Sequence, residues 1–264
     1  MSIHPTASVD PTARIGDGVE IGAFSVVGAE CVLGDGVRLH AHAIIEPHTT
    51  LGGGCEVFSG AVLGGTPQDR KFKGERSFLV IGRSNIIREH VTIHRAAGAG
   101  NATRLGDDNL VMAYCHVGHN CVLGSGITMG NMTGLSGHVE VEDGVTFGGI
   151  VGVHQFTRIG RLAMIGGFSK VVQDVPPFSM ADGRPCSVVD LNVIGLRRSG
   201  VSADVRAGLK QVYKLLYRSS LNISQAIAAI EAGVEPSPER DYVLDFIRNI
   251  RFGSNGRQND APRT

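Results

Sequence analysis

Tryptophan is absent and aromatic residues make up only 5% of the chain, so any core has to be built from aliphatic side chains. Charge is scarce too: 19% of residues carry it, and 25 basic residues balance 25 acidic ones. No overall field draws in nucleic acid, and no basic, aromatic-interleaved surface is present, so a nucleic-acid partner is not expected. From Leu191 onward 11 Lys and Arg face 7 Asp and Glu. That mild excess suits an acidic partner and equally an ordinary solvated helix face. No stretch approaches the roughly eighteen consecutive apolar residues of a membrane span. The N-terminus, MSIHPTASVDP, has no basic segment followed by an apolar run. A soluble cytoplasmic protein without integral membrane association is expected. The five cysteines form no C-x-x-C pair, which argues against disulfide or metal roles and for small, reduced core residues.

What is present is glycine, 37 residues of it, and a period. From Ile3 through Val9, Ile15, Ile21, Val27, Leu33, Leu39, Ile45, Leu51 and Val57 to Leu63, an aliphatic residue returns every six positions. The same beat runs from Leu105 to Val171, with Met129 and Phe147 taking two of the slots. Six matches neither a helical nor a strand period. It is a repeat signature of a parallel β-helix, in which three hexads close one triangular coil and stacked coils bury the aliphatic column. Cys31, Cys55, Cys115 and Cys121 each fall four positions after a repeat aliphatic, a slot otherwise given to small residues.

Two insertions interrupt the beat and keep its register modulo six, one near 64–80 (GGTPQDRKFKGERSF) and one near 94–104 (HRAAGAGNAT). Insertions of this kind loop out of a solenoid, often on its binding side. The repeat is expected to end at VVQDVPPF, because Pro176 and Pro177 cannot continue a central strand. An irregular bridge follows. Ser202 is a good N-cap for a helix carrying Val205, Leu209, Val212 and Leu216. Ser224 opens a second helix with Ala226, Ile227 and Ile230, a third spans Arg240 to Ile250, and the polar tail from Ser254 is expected to fray. The expected fold is therefore mainly β, with a β-helix over 1–189 and a small α-helical C-terminal domain over 190–264.

Positions eighteen apart lie one above the other, about 4.8 Å apart. His119 then sits beneath Gly137 and Ser136 beneath His154. His116, His119, Gly137, His138 and His154 cluster on one edge of three coils, none in an inward slot. A neutral imidazole can act as a general base near neutral pH, and Gly137 can bring a backbone N–H close to a developing oxyanion. Metal binding is the rival reading, but H-x-x-H on a strand sends its two members to different faces, and no ligand set completes the site. No phosphate-binding G-x-x-x-x-G-K-[ST] loop occurs.

The hexads resemble the hexapeptide-repeat family, and this resemblance, not the period, implies a left-handed helix. PQDRKFKG, VTIHR, NLVMAYCHVGHNC, LSGHV, VHQF, MIGG, QDVPP and NVIGLRRSG together resemble the bacterial UDP-N-acetylglucosamine 3-O-acyltransferases that begin lipid A synthesis. The likeness covers nearly the whole chain. It implies transfer of an (R)-3-hydroxyacyl chain from acyl-carrier protein to the glucosamine 3-OH of a UDP-sugar, within a homotrimer whose sites lie between subunits. The phosphopantetheine thioester is the acyl donor, and no other cofactor is implied. By match, His119 resembles the general base, Gly137 the oxyanion donor, and Asp69 the residue that contacts the sugar and positions the base. Lys71, His94, His116, His138, His154 and Gln155 resemble substrate contacts, Asn192 and Arg198 nucleotide or phosphate contacts, and Gly167 a position that limits acyl length.

Three positions depart from the family pattern. Asn120 stands where an acidic residue often follows the base, so support for an imidazolium is expected from Asp69 or a backbone carbonyl. Ile194 replaces a frequent Glu, and Ser199 a second Arg. Two alternatives stay open on sequence: the same scaffold acylating a 3-amino sugar nucleotide, and a non-catalytic or metal-binding repeat protein.

Overall fold

The computed structural model describes residues 1–250 and 253–260. Each hexad supplies a two-residue strand and a corner. Ser2–Ile3 pairs in parallel with Glu20–Ile21, which pairs with Arg38–Leu39, one coil being eighteen residues. Three faces result, of 11, 9 and 8 strands, beginning with Ser2–Ile3, Ser8–Val9 and Arg14–Ile15 respectively. The repeat aliphatic points inward on every face: Leu33, Leu63, Ile81, Ile93, Val117, Leu135 and Ile165 are 0–1% exposed. Each such side chain contributes about 1.5–3 kcal/mol on burial. The second inward column is narrow, with Cys31, Ala43, Cys55, Ala61, Cys115 and Cys121 buried, and these small residues let the triangle close.

The insertions leave this core untouched. Across the first, Val62 pairs with Thr92, thirty residues on instead of eighteen, so twelve residues loop out. Thr92 pairs with His116, so the second adds six. Both arise where the second face meets the third.

The upper end differs from expectation. Pro176 and Pro177 do not close the stack. Ser179–Gly183 adds another parallel rung to the first face, then turns back through Cys186–Leu191 as an antiparallel hairpin. The supposed irregular bridge is thus this hairpin followed by a short helix, α1 (Val193–Arg198). The strands alternate in burial but not in polarity, since Ser179 is buried while Met180 and Val189 face outward, so no apolar beat marks them in sequence. Ser202 caps α2 (Ala203–Tyr217) as predicted, its side chain accepting from the Val205 N–H. Asn222, not Ser224, caps α3 (Ile223–Gly233) through a reciprocal capping box with Gln225. α4 (Pro238–Ile250) starts two residues early because proline suits a first helical turn.

A second core joins Phe178, which precedes the hairpin, and Leu191, which ends it, to Leu196, Leu209, Val212, Ile230 and Leu244. The tail is not frayed over 254–260: Asp174 receives the Gln258 N–H at 2.9 Å, and Arg257 donates to the Val172 carbonyl at 3.0 Å. Residues 261–264, assigned to the C-terminal domain from sequence, lie outside the described residues.

Candidate active site

Rung stacking brings His119 and Gly137 together at the corner between the second and third faces. His116 pairs with Gly134 and Val117 with Leu135, which sets the following corners directly in line. A methyl group built on Gly137 would lie 2.7 Å from His119 Nε2 and 2.8 Å from Cε1. Only a glycine lets the ring approach this backbone. The Gly137 N–H donates to no acceptor among the described residues, so a free donor sits beside the imidazole.

The other ring nitrogen is held by the next residue in the chain. His119 Nδ1 lies 2.8 Å from Asn120 Oδ1. That oxygen also accepts the Ala97 N–H at 2.9 Å, while Asn120 Nδ2 donates to the Ala97 carbonyl at 3.0 Å. Backbone donor and acceptor cannot exchange roles, so the Asn120 amide has one permitted orientation. An amide oxygen only accepts. Nδ1 therefore carries the hydrogen, and Nε2, on the Gly137 side, keeps a lone pair. The expected partners, Asp69 or a backbone carbonyl, do not take this place. Asn120 fills it in a left-handed corner conformation (φ 60°) that asparagine tolerates well. Ala97 belongs to the second insertion, so that insertion sets the base.

Three further imidazoles surround His119. The His138 ring meets it edge-on with centroids 5.2 Å apart, and His94 meets His116 at 5.1 Å. His94 Nδ1 donates to the Thr66 carbonyl of the first insertion at 2.6 Å, and His116 Nδ1 lies 2.8 Å from Thr92 Oγ1. Burial, then the neighbouring His94 and His119, push His116 down to about 4. Burial also lowers His94, an effect that its bond to Thr66 opposes and His119 and Arg95 reinforce. His138 is lowered by burial and by His119, with Asp69 opposing. These three rings stay neutral at physiological pH and offer lone pairs or N–H groups to a polar substrate.

A cavity of about 590 Å³ opens over this cluster. Of the residues singled out in the sequence, His94, His116, His119, Gly137, His154 and Gln155 line it, joined by Gln68 and Ser136. The others stand apart from its wall. His138 reaches it through the ring of His119. The Asp69 carboxylate accepts the Lys71 N–H at 2.9 Å, within electrostatic reach of His138. Gly167 occupies a different corner, beside Gly149, and Arg198 ends α1 on the surface. Asn192 caps α1: its Oδ1 accepts from Gly195 at 2.9 Å and its Nδ2 donates to the Leu162 carbonyl at 2.8 Å. Sequence reasoning missed Gly134, Gly152 and Lys170 in the wall, although the eighteen-residue rule that aligned His119 with Gly137 aligns them as well. Among the described residues no three His, Cys, Asp or Glu side chains are placed to hold a metal ion.

Fold and site together define a left-handed parallel β-helix transferase of the hexapeptide-repeat class, with a tautomer-locked base facing an unpaired backbone donor. Comparison narrows the class. Residues 174–256 match the family described as UDP-N-acetylglucosamine O-acyltransferase, domain 2. An acyl-[acyl-carrier-protein]–UDP-N-acetylglucosamine O-acyltransferase of Anaeromyxobacter dehalogenans is 43% identical over 254 residues, 96% of this chain and 99% of its own. The Synechocystis protein of the same name is 47% identical over 208 residues, 78% of this chain and 74% of its own. The crystal structure of LpxA, a UDP-N-acetylglucosamine acyltransferase from Bacteroides fragilis, superposes with a TM-score of 0.92 at 39% identity, covering 99% of this chain and 100% of that one. The chain belongs to the acyl-[acyl-carrier-protein]–UDP-N-acetylglucosamine O-acyltransferase family.

Proposed function

We propose that the protein moves an (R)-3-hydroxyacyl chain from acyl-carrier protein to the glucosamine 3-OH of UDP-N-acetylglucosamine, opening lipid A synthesis. The observation that carries this reading is the His119 Nε2 lone pair set against the unpaired Gly137 N–H. Nε2 takes the proton of the 3-OH as that oxygen bonds to the thioester carbon. The carbonyl oxygen gains charge and accepts the Gly137 N–H. Collapse breaks the C–S bond, and the imidazolium returns its proton to the departing phosphopantetheine sulfur. Ester and thiol are the products, and no other cofactor enters.

His94, His116, His154 and Gln155 bind the polar substrate from the cavity wall, while Asp69 and His138 support the base from outside it. Lys71, Gly167, Asn192 and Arg198 stand outside that wall in one protomer, and we assign them to a site completed by a neighbouring subunit. A homotrimer is supported by a ridge where the first and second faces meet. Tyr114, Met132, Ile150 and Phe168 stack there at eighteen-residue intervals, each 45–59% exposed. Apolar ridges of this kind mark interfaces. No described helix is long and apolar enough to cross a membrane, and four of the five unpaired cysteines are buried, which fits a reducing cytoplasm.

The test supplies purified (R)-3-hydroxyacyl carrier protein with UDP-N-acetylglucosamine or its 3-amino analogue and identifies the product by mass. Ester formation on the hydroxyl is expected, with His119→Ala abolishing it while the oligomer persists. Turnover of the amine alone overturns the assignment.

A further inference from the structure

The second insertion steadies His119 through one peptide group, the trans peptide joining Ala97 to Gly98. Its carbonyl accepts from Asn120 Nδ2 at 3.0 Å and from Asn101 Nδ2 at 3.0 Å. Its N–H points the opposite way, as in any trans peptide, and donates to Glu75 Oε1 at 2.8 Å. Glu75 belongs to the first insertion, where its other oxygen accepts the Lys73 N–H at 2.9 Å. Asn120 and Glu75 thus grip one rigid plane from its two ends. The N–H groups just before it are tied to main chain instead, Arg95 to the Gly65 carbonyl and Ala96 to that of Phe78.

The plane needs holding because it has a hinge. Gly98 sits at φ 90°, and glycine takes positive and negative φ about equally well. Opposed rotations at Ala97 ψ and Gly98 φ would turn the peptide over and put the Gly98 N–H where the Ala97 carbonyl now stands. Asn120 Nδ2 would then face a donor. The amide would have an N–H on either side of it and one oxygen to serve them. Wherever Oδ1 turned to Gly98, Nδ2 would face His119 Nδ1, the ring hydrogen would move to Nε2, and the base would lose its lone pair. Asn101 opposes this from within the loop, its own N–H bonded to the Gly98 carbonyl, and so travels with it. Glu75 is the anchor from outside the loop. A carboxylate accepting an amide N–H makes a bond about twice as strong as a neutral pair, and the Gly98 N–H is the first cause that holds the Glu75 carboxyl below the usual carboxylate range.

We propose that Glu75 is a positioning residue for the base: by fixing the Ala97–Gly98 peptide in one orientation it fixes the Asn120 amide, and through it the His119 tautomer that leaves Nε2 free. The effect on rate rests on the acyltransferase reading above, whereas the effect on the tautomer does not. A carboxylate that only braced the first insertion through Lys73 would leave the ring unmoved.

The experiment labels the histidines with nitrogen-15, assigns the His119 ring by its loss in His119→Gln, and reads by NMR which ring nitrogen carries hydrogen at about pH 8, where an ordinary imidazole is neutral. Wild type shows hydrogen on Nδ1 alone. Glu75→Ala shows both tautomers, and its kcat falls about tenfold, the loss expected for one charged hydrogen bond, while KM for either substrate stays within twofold. Glu75→Gln, which keeps an oxygen for the Gly98 N–H, retains the wild-type tautomer and a kcat within threefold. Because Glu75 acts through Asn120, adding Glu75→Ala to Asn120→Ala lowers kcat no further than Asn120→Ala alone. A single tautomer in Glu75→Ala overturns the proposal, as do losses that multiply in the double variant. A Glu75→Gln protein that matches Glu75→Ala in both readouts overturns it as well, and so does a rise confined to KM, which would place Glu75 on the substrate. A tautomer shift in Glu75→Ala supports it even if wild type transfers no acyl group, a result that would sink the acyltransferase reading alone.

Discussion

Adding one methyl group at Gly137 tests the base and the oxyanion donor together. The backbone there lies outside the left-handed region, so alanine meets no conformational penalty. The new Cβ, however, falls 2.7 Å from His119 Nε2 and 2.8 Å from Cε1. Ordinary non-bonded contacts sit at about 3.5–4.0 Å, so the ring has to retreat by about 1 Å. It cannot do so while keeping Nδ1 on Asn120 Oδ1, a bond of 2.8 Å whose oxygen is itself fixed by Ala97. Displacement of that size at a reacting centre costs about a hundredfold in rate, or about 2.7 kcal/mol of barrier. The assay is kcat/KM for acyl transfer, alongside thermal melting and oligomer size. A hundredfold loss with melting within about two degrees of wild type is expected. Activity within threefold of wild type would refute the geometry, because it would mean that the ring and this amide do not share the reacting carbonyl.

Asparagine at 120 answers to a different substitution. In Asn120→Asp a carboxylate replaces Oδ1 and faces the Ala97 carbonyl where Nδ2 donated, so one clamp is lost while a charge appears beside His119. The acid limb of the pH–rate profile should then move up by about one unit, and an unmoved limb would show that this side chain does not govern the base. Stability should also follow pH. His116 is pushed down to about 4 in the fold, whereas an unfolded histidine titrates near 6.5. Between those values the unfolded chain holds more protons, so the contribution of His116 is full above about pH 6.5 and fades as the pH falls toward 4, with His94 and His138 adding to it in the same direction. Urea midpoints measured from pH 7.5 to pH 4.5 should drop, and His116→Gln should flatten the slope; an unchanged slope would contradict the burial argument.

The β-helix was legible because its code is one-dimensional. An aliphatic at every sixth position, a small residue four later and an eighteen-residue rung are enough to place His119 against Gly137. Even the two insertions obeyed that count. What escaped was structure without a period. The hairpin of Ser179–Gly183 and Cys186–Leu191 buries a serine and exposes Met180 and Val189, which hides its alternation, and α1 spans only six residues. The role of Asn120 was hidden for another reason. Its side chain reads the peptide group of Ala97, twenty-three positions away in a loop whose path no pattern dictates. Asp69 and Lys71 lie in a similar loop, and there sequence could name the residues without placing them. Lys170 shows the opposite case, since the same arithmetic would have found it had outward slots been followed as closely as inward ones.

The hairpin at the top of the prism also limits how these molecules can associate. Stacked rungs present an unfinished ladder of backbone donors and acceptors, a surface on which another prism could continue the pattern indefinitely. Here the first face finishes on a strand that runs backwards, with α2 packed on it and Tyr213 bonded to its Val189 carbonyl. A reversed, covered edge offers no matching register to an incoming coil. Fibrous growth by end-to-end addition needs an open ladder at both tips, and the reversed strand closes the first face at this one.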